Sequence, residues 1–280
     1  MQKKLIKLLS VALVMVLVTS LIPFTSATDD EDSGFEEEFE YMKPSGDFDS
    51  TDSSPNDNVI STSSSDDLED VEDMEDDITD SVDPQVLLRF IKSRRSIRYY
   101  RDEPVDREQI DMIIEAGRYT PTASNRQALT FIVVEKEMQA FRPLAIESLA
   151  DLGRFALQAE GLPPLLLGYA NRWLGIEEAF LKDPGEKDTL FYNTPLVILV
   201  AGDNPIDAGL AASNMELVAC AQGLGVLYSG FLTRSAANEK VKGFLNVPED
   251  KEVLITLLVG HPDVKYRRTA PRKKADIIWT

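Results

Sequence analysis

The chain has little with which to build nucleophilic or metal chemistry, since its 280 residues hold one cysteine and one histidine. A single cysteine excludes an intrachain disulfide. Cys220 has no CxxC partner or nearby histidine and reads as a buried structural thiol. His261 stands in the turn Gly260-His261-Pro262. It has no serine or cysteine in a motif context and no second ligand, which argues against a catalytic triad and a zinc site. No EF-hand loop, carboxylate dyad or internal repeat is present, so no metal site is expected.

Basic residues are scarce over one stretch. Of 48 acids and 29 bases, residues 28–83 hold 23 acids and one base, Lys43. Large apolar side chains are few there and serine is frequent, so the stretch lacks the apolar surface to offset its ordering entropy and is expected to be a disordered acidic linker. Upstream, Lys3, Lys4 and Lys7 precede an apolar run that ends in Thr25-Ser26-Ala27. That grammar predicts a secretory signal over residues 1–27, cleaved after Ala27, with an uncleaved membrane anchor as the alternative. No twin-arginine pair or lipobox cysteine accompanies it. Once both segments are set aside, residues 84–280 keep 25 acids and 25 bases. The formal charge of −19 therefore belongs to the linker, and a balanced domain argues against nucleic-acid binding.

The remaining 197 residues suit one domain with a substantial core. Asp83-Pro84 supplies a cap and an N1 proline for a helix carrying Val86, Leu87, Phe90 and Ile91 at helical spacing. A second helix is predicted from Asp106 to Gly117, with Ile110, Ile113 and Ile114 inward. Leu129 to Glu135, Pro195 to Gly202 and Val253 to Gly260 read as strands buried on both faces, and Val226 to Leu232 as a weaker strand. The segment from Glu137 to Tyr192 is mainly helical, broken by Pro163-Pro164 and Pro184-Gly185. Ile206 to Gln222 predicts a helix rich in small residues that another helix can approach closely.

Chemistry concentrates in Arg94-Arg95-Ser96-Ile97-Arg98, three guanidinium groups and a hydroxyl directly after a helix. Guanidinium forks meet phosphate oxygens with paired, charge-assisted hydrogen bonds, and serine adds a donor. Read alone, the run is also compatible with a solvated basic surface.

The run and its company resemble the nitroreductase family over nearly all of residues 84–280. Arg94 to Tyr100 resembles the family's opening RRSxRxF/Y run, in which Arg94, Arg95, Ser96 and Arg98 would hold the phosphate and ribityl chain of FMN. Pro121, Thr122, Ala123, Asn125 and Gln127 are similar to its P-S-x-x-N-x-Q loop, which contacts FMN from a partner subunit. Ala208 to Gly225 resembles the dimer helix ending in GLG. Leu227, Tyr228, Ser229 and Gly230 fall where backbone amides face the flavin ring, and Arg272 with Lys273 resembles the basic ending that reaches back to the phosphate.

The resemblance implies an α+β, three-layer α/β/α fold with a central mixed or antiparallel sheet, working as a homodimer that exchanges its C-terminal segments. It implies FMN as cofactor and a two-electron ping-pong reduction of a nitroaromatic, a quinone or a similar small acceptor, with NAD(P)H or an extracytoplasmic redox partner as donor. The flavin would carry the chemistry, so no catalytic side chain is named. Two alternatives remain: a reductive dehalogenase of the iodotyrosine deiodinase type, with Glu160, Tyr169 and Lys182 as lid groups, and a non-enzymatic flavin-binding surface protein. Ala128 and Leu129 depart from the family's Pro and aromatic after the loop, and residues 142–188 match no assignable lid.

Overall fold

The computed structural model describes residues 82–186 and 188–280; the expected signal and acidic linker lie outside the described residues. Helix α1 spans Pro84–Ser93 and α2 Arg107–Arg118. A 3-10 turn, Ala123–Asn125, leads to β1, Thr130–Val134. Two 19-residue helices follow, α3 at Met138–Ala156 and α4 at Pro164–Lys182. Then come β2 at Leu196–Gly202, α5 at Pro205–Ala221, β3 at Gly225–Tyr228, short helices α6 at Gly230–Ser235 and α7 at Glu239–Leu245, and β4 at Glu252–Gly260.

The strands form one antiparallel sheet in the order β1-β2-β4-β3. Strand β2 is buried along its whole length, and its side chains alternate between two cores. Val197 and Leu199 pack on one face with Phe141 and Leu149 of α3 and Trp173 of α4. Ile198 and Val200 pack on the other with Ile110 and Ile113 of α2 and Met215 of α5. Two covered faces make the three layers expected.

Three expectations change. β1 is not buried on both faces: it is an edge strand, and Val133 is 41% exposed. The strand expected over 226–232 ends at Tyr228, because the Ser229 hydroxyl accepts the Leu232 N–H and starts α6. α1 forms where its cap predicts, with Asp83 accepting the Gln85 N–H at 2.8 Å, yet it buries none of its residues. Val86, Leu87, Leu88 and Ile91 remain exposed. The C-terminal segment beyond Pro262 has no regular structure and exposes Ile277, Ile278 and Trp279.

Candidate active site

The arginine run is laid along the free edge of β3. Ser96 pairs with Val226 in a parallel bridge, and the Ile97 N–H donates to the Val226 carbonyl at 3.0 Å. This is the parallel element of an otherwise antiparallel sheet. Gly225 makes the approach possible, because a Cβ there would stand 2.6 Å from Ile97 Cγ1. Further along, the Tyr100 hydroxyl donates to the Ile97 and Leu258 carbonyls, and the Arg101 N–H donates to the His261 carbonyl. Burial raises the pKa of Tyr100, so its hydroxyl stays a donor.

That pairing fixes the three arginines in different settings. Arg98 is exposed. Arg95 stacks over the Tyr266 ring at 4.4 Å and donates to the Arg268 carbonyl at 3.1 Å, so the C-terminal segment passes the run four residues before Arg272. Arg94, the C-cap of α1, donates to Glu216 Oε1 of α5 at 2.8 Å. Glu216 is buried, and burial raises its carboxyl pKa against the opposing influence of Arg94 and the Tyr228 hydroxyl. Cys220, one turn on, is partly exposed rather than buried as expected, and its thiol is pushed up to about 11 by burial and by Glu216.

At the end of β3, Leu227 is buried and Tyr228 is partly exposed. The Ser229 N–H donates to the Thr256 carbonyl at 2.9 Å and is already committed. This corrects the expectation that both amides of Ser229 and Gly230 are offered to a ligand. Gly230 remains, one of the first-turn N–H groups that a helix leaves without an internal partner. A Cβ on Gly230 would meet nothing within 4 Å, so the space beside its Cα is open. The next residue, Phe231, sits edge-on to both Tyr169 and Trp173 of α4. α4 is thereby docked beside this turn, within the region that sequence reasoning left unassigned.

The second loop stands elsewhere. The Ala123 N–H points to the buried carboxylate of Asp207, at 3.3 and 3.4 Å to its two oxygens, while Arg126 pairs with Asp203 and Thr122 Oγ1 accepts the Gln127 N–H. These contacts hold Ser124, Asn125 and Gln127 at positive φ, a costly backbone for non-glycine residues. Gln127 also donates to Asn125 Oδ1 at 3.3 Å. Pro121 is exposed, as are Ala123, Asn125 and Gln127. Asp207 and Glu216 lie nine residues apart on α5, about 14 Å along its axis. Within one protomer the two loops therefore hold to different ends of that helix.

Arg272 donates to the neighbouring Pro271 carbonyl and, with Lys273, is exposed. The lid groups of the dehalogenase alternative are not gathered: Tyr169 and Lys182 lie about 20 Å apart along α4, and Tyr169 is stacked on Trp173. Sequence reasoning passed over Asp207 and Glu216. The available signal was that they are the charged residues in a helix otherwise made of small, apolar and neutral side chains.

The arrangement is a three-layer α+β domain with an arginine run along its sheet edge, and comparison gives it a family. The nitroreductase family model matches residues 91–261, and the chain belongs to that family. It is 31% identical over 176 residues to an FMN reductase [NAD(P)H] of Bacillus subtilis, covering 63% of this chain and 66% of that protein. It is 28% identical over 195 residues to an NADPH-flavin oxidoreductase of Vibrio harveyi, covering 67% and 70%. The chain thus spans about two thirds of the length of these relatives. A nitroreductase with bound FMN from Bacteroides fragilis shares the fold with a TM-score of 0.53 at 20% identity, covering 69% of this chain and 98% of its own. Another from Desulfitobacterium hafniense aligns at 0.52 with 24% identity, covering 69% and 97%.

Proposed function

We propose that the chain is an exported, FMN-dependent oxidoreductase that works as a homodimer and reduces a small acceptor such as a nitroaromatic or a quinone. The observation that carries this reading is the arginine run held along β3 by the Ser96–Val226 bridge, which puts phosphate-binding groups and the open Gly230 turn on one sheet edge. Those residues fit FMN: a dianionic phosphate needs clustered guanidinium and hydroxyl donors, and an isoalloxazine needs an unobstructed backbone edge. Bound FMN would supply two-electron transfer between a donor and the acceptor.

The protein's own part is to bind and orient. Arg94, Arg95, Ser96 and Arg98 hold the phosphate end, and the Gly230 N–H steadies the ring edge. Asn125 and Gln127 are exposed on a rigid loop that serves the site of a second copy. The exposed apolar side chains of α1, with Ile278 and Trp279, support that second copy, since among the described residues they form apolar surface without cover. The relatives' NAD(P)H is the expected donor where it is available; the expected export favours an extracytoplasmic redox partner.

The test is the visible spectrum of protein expressed from Thr28 onward. Flavin absorption, with FMN released on denaturation, is expected, and the Arg94→Ala/Arg98→Ala double variant should lose it. Colourless protein that cannot be reconstituted with FMN would refute the reading. Sedimentation should give a dimer that dissociates when residues 276–280 are removed. Mature protein recovered outside the cytoplasmic membrane should begin at Thr28; protein retained inside with its leader would count against export.

A further inference from the structure

We infer that Glu216 is a positioning residue for the flavin phosphate, holding the Arg94 guanidinium at the sheet edge so that its other N–H groups meet the phosphate. The inference rests on the FMN reading and adds a residue to it. Arg94 sits at a junction where the backbone alone does not fix a long side chain: α1 ends there and the chain turns extended to join β3. A free arginine there would lose several rotatable bonds of freedom on gripping an anion. Glu216 removes that freedom beforehand. Its Oε1 accepts one N–H of Arg94 at 2.8 Å, with 5% of the glutamate side chain exposed but 30% of the arginine's. The pair is closed on the carboxylate side and open on the guanidinium side. Five N–H groups in a planar fork leave Arg94 ample donors for a second anion once one is committed.

Stability does not explain the carboxylate. α5 packs through Ala208, Ala211, Ala212, Met215 and Ala219, and an apolar residue at 216 would extend that surface without desolvating a charge. Burial raises the Glu216 pKa even with Arg94 beside it, so ionising this group in the fold carries a net cost. The carboxylate faces both the Tyr228 hydroxyl and Arg94, and its costly charge is accounted for by what it does to that arginine of the phosphate grip.

The test compares FMN with riboflavin, which lacks the phosphate, by flavin fluorescence titration of the purified full chain. Glu216→Ala should raise the Kd for FMN about tenfold and leave that for riboflavin within about twofold, as Arg94→Ala should. Glu216→Gln keeps an acceptor of the same shape and should stay within about threefold of wild type for both ligands. Because the readout is a ratio of two ligands on one sample, a partly unfolded variant does not mimic the result. Unchanged FMN affinity in Glu216→Ala, or equal weakening for FMN and riboflavin, would overturn the inference. Wild type that binds neither flavin would instead refute the cofactor reading on which it rests.

Discussion

Replacing Gly225 with alanine tests whether the arginine run depends on its seat against β3. The new Cβ would lie 2.6 Å from Ile97 Cγ1 and 2.8 Å from Ile97 Cβ, whereas ordinary contacts begin near 3.4 Å. The run must retreat by about 0.8 Å, and because a branched Cβ is part of the clash, no rotamer of Ile97 relieves it. Overpacking of this kind costs about 1–3 kcal/mol. Stretching the 3.0 Å bond from Ile97 N–H to the Val226 carbonyl adds about 0.5–1.5 kcal/mol. The smaller conformational freedom of alanine in the unfolded chain offsets about 0.4–1 kcal/mol. The net loss spans about 0.5–4 kcal/mol and centres on about 2 kcal/mol, which corresponds to roughly 4–8 °C in Tm for a domain of this size. Thermal and urea unfolding would measure it, and FMN affinity should fall with it. Gly175→Ala is the control: a Cβ there meets nothing within 4 Å inside α4, so it should gain about 0.5–1 kcal/mol. Equal stability of Gly225→Ala and wild type would refute the seat.

Three further outcomes are expected. Asp188 is buried, takes Arg142 on one oxygen and the Leu190 and Phe191 N–H groups on the other, so Asp188→Ala should cost about 3–5 kcal/mol in urea unfolding. Asp188→Asn, which keeps an acceptor, should cost less, and equal losses would count against the pairing. Asp207→Ala frees the Ala123 N–H and should weaken FMN binding several-fold by relaxing the Asn125 loop, whereas Asp207→Asn should largely preserve it; unchanged binding in the alanine variant would disprove the anchor. The third concerns pH. A carboxyl whose folded pKa is raised above its ordinary 4.5 favours the folded state while protonated, and that advantage is lost as pH rises through the folded value. The stability of Glu216→Gln relative to wild type should therefore increase as pH climbs above about 4.5, and a flat or opposite trend would contradict the burial cost.

The parts of the fold legible in the sequence are those decided locally. Asp83-Pro84 starts α1 at Pro84, the isoleucine spacing of α2 matches its buried face, and the apolar run of β2 is buried throughout. What escaped depends on neighbours distant in the chain. Leu129 to Glu135 has the composition of an interior strand, but among the described residues β1 has a partner on one side alone, and no local pattern reports how many neighbours a strand acquires. α1 has the apolar spacing of a core helix, yet its face finds no core among the described residues. Periodicity tells which side of a helix is apolar, not which molecule covers it.

The candidate site divides in the same way. Arg94, Ser96 and Gly230 are readable as residue types in an order, because the proposed phosphate and ring contacts would demand those types. The division of labour among them was not. Ser229 was read as offering an amide, but Thr256 takes it from the next strand. The sequence points Arg94 at a phosphate, but does not show that Glu216, 122 residues away, already accepts one of its N–H groups. Both findings narrow the groups left for a ligand, and both fix what remains more rigidly. A site that spends part of its donors on its own scaffold gives up contacts and gains orientation. The two buried acids of α5 make that exchange at separate loops, about 14 Å apart along one helix. Loops held at separate ends of α5 fit the proposal that the second serves the site of another copy, so the rigidity of α5 bears equally on the cofactor site and on the dimer proposed to complete it.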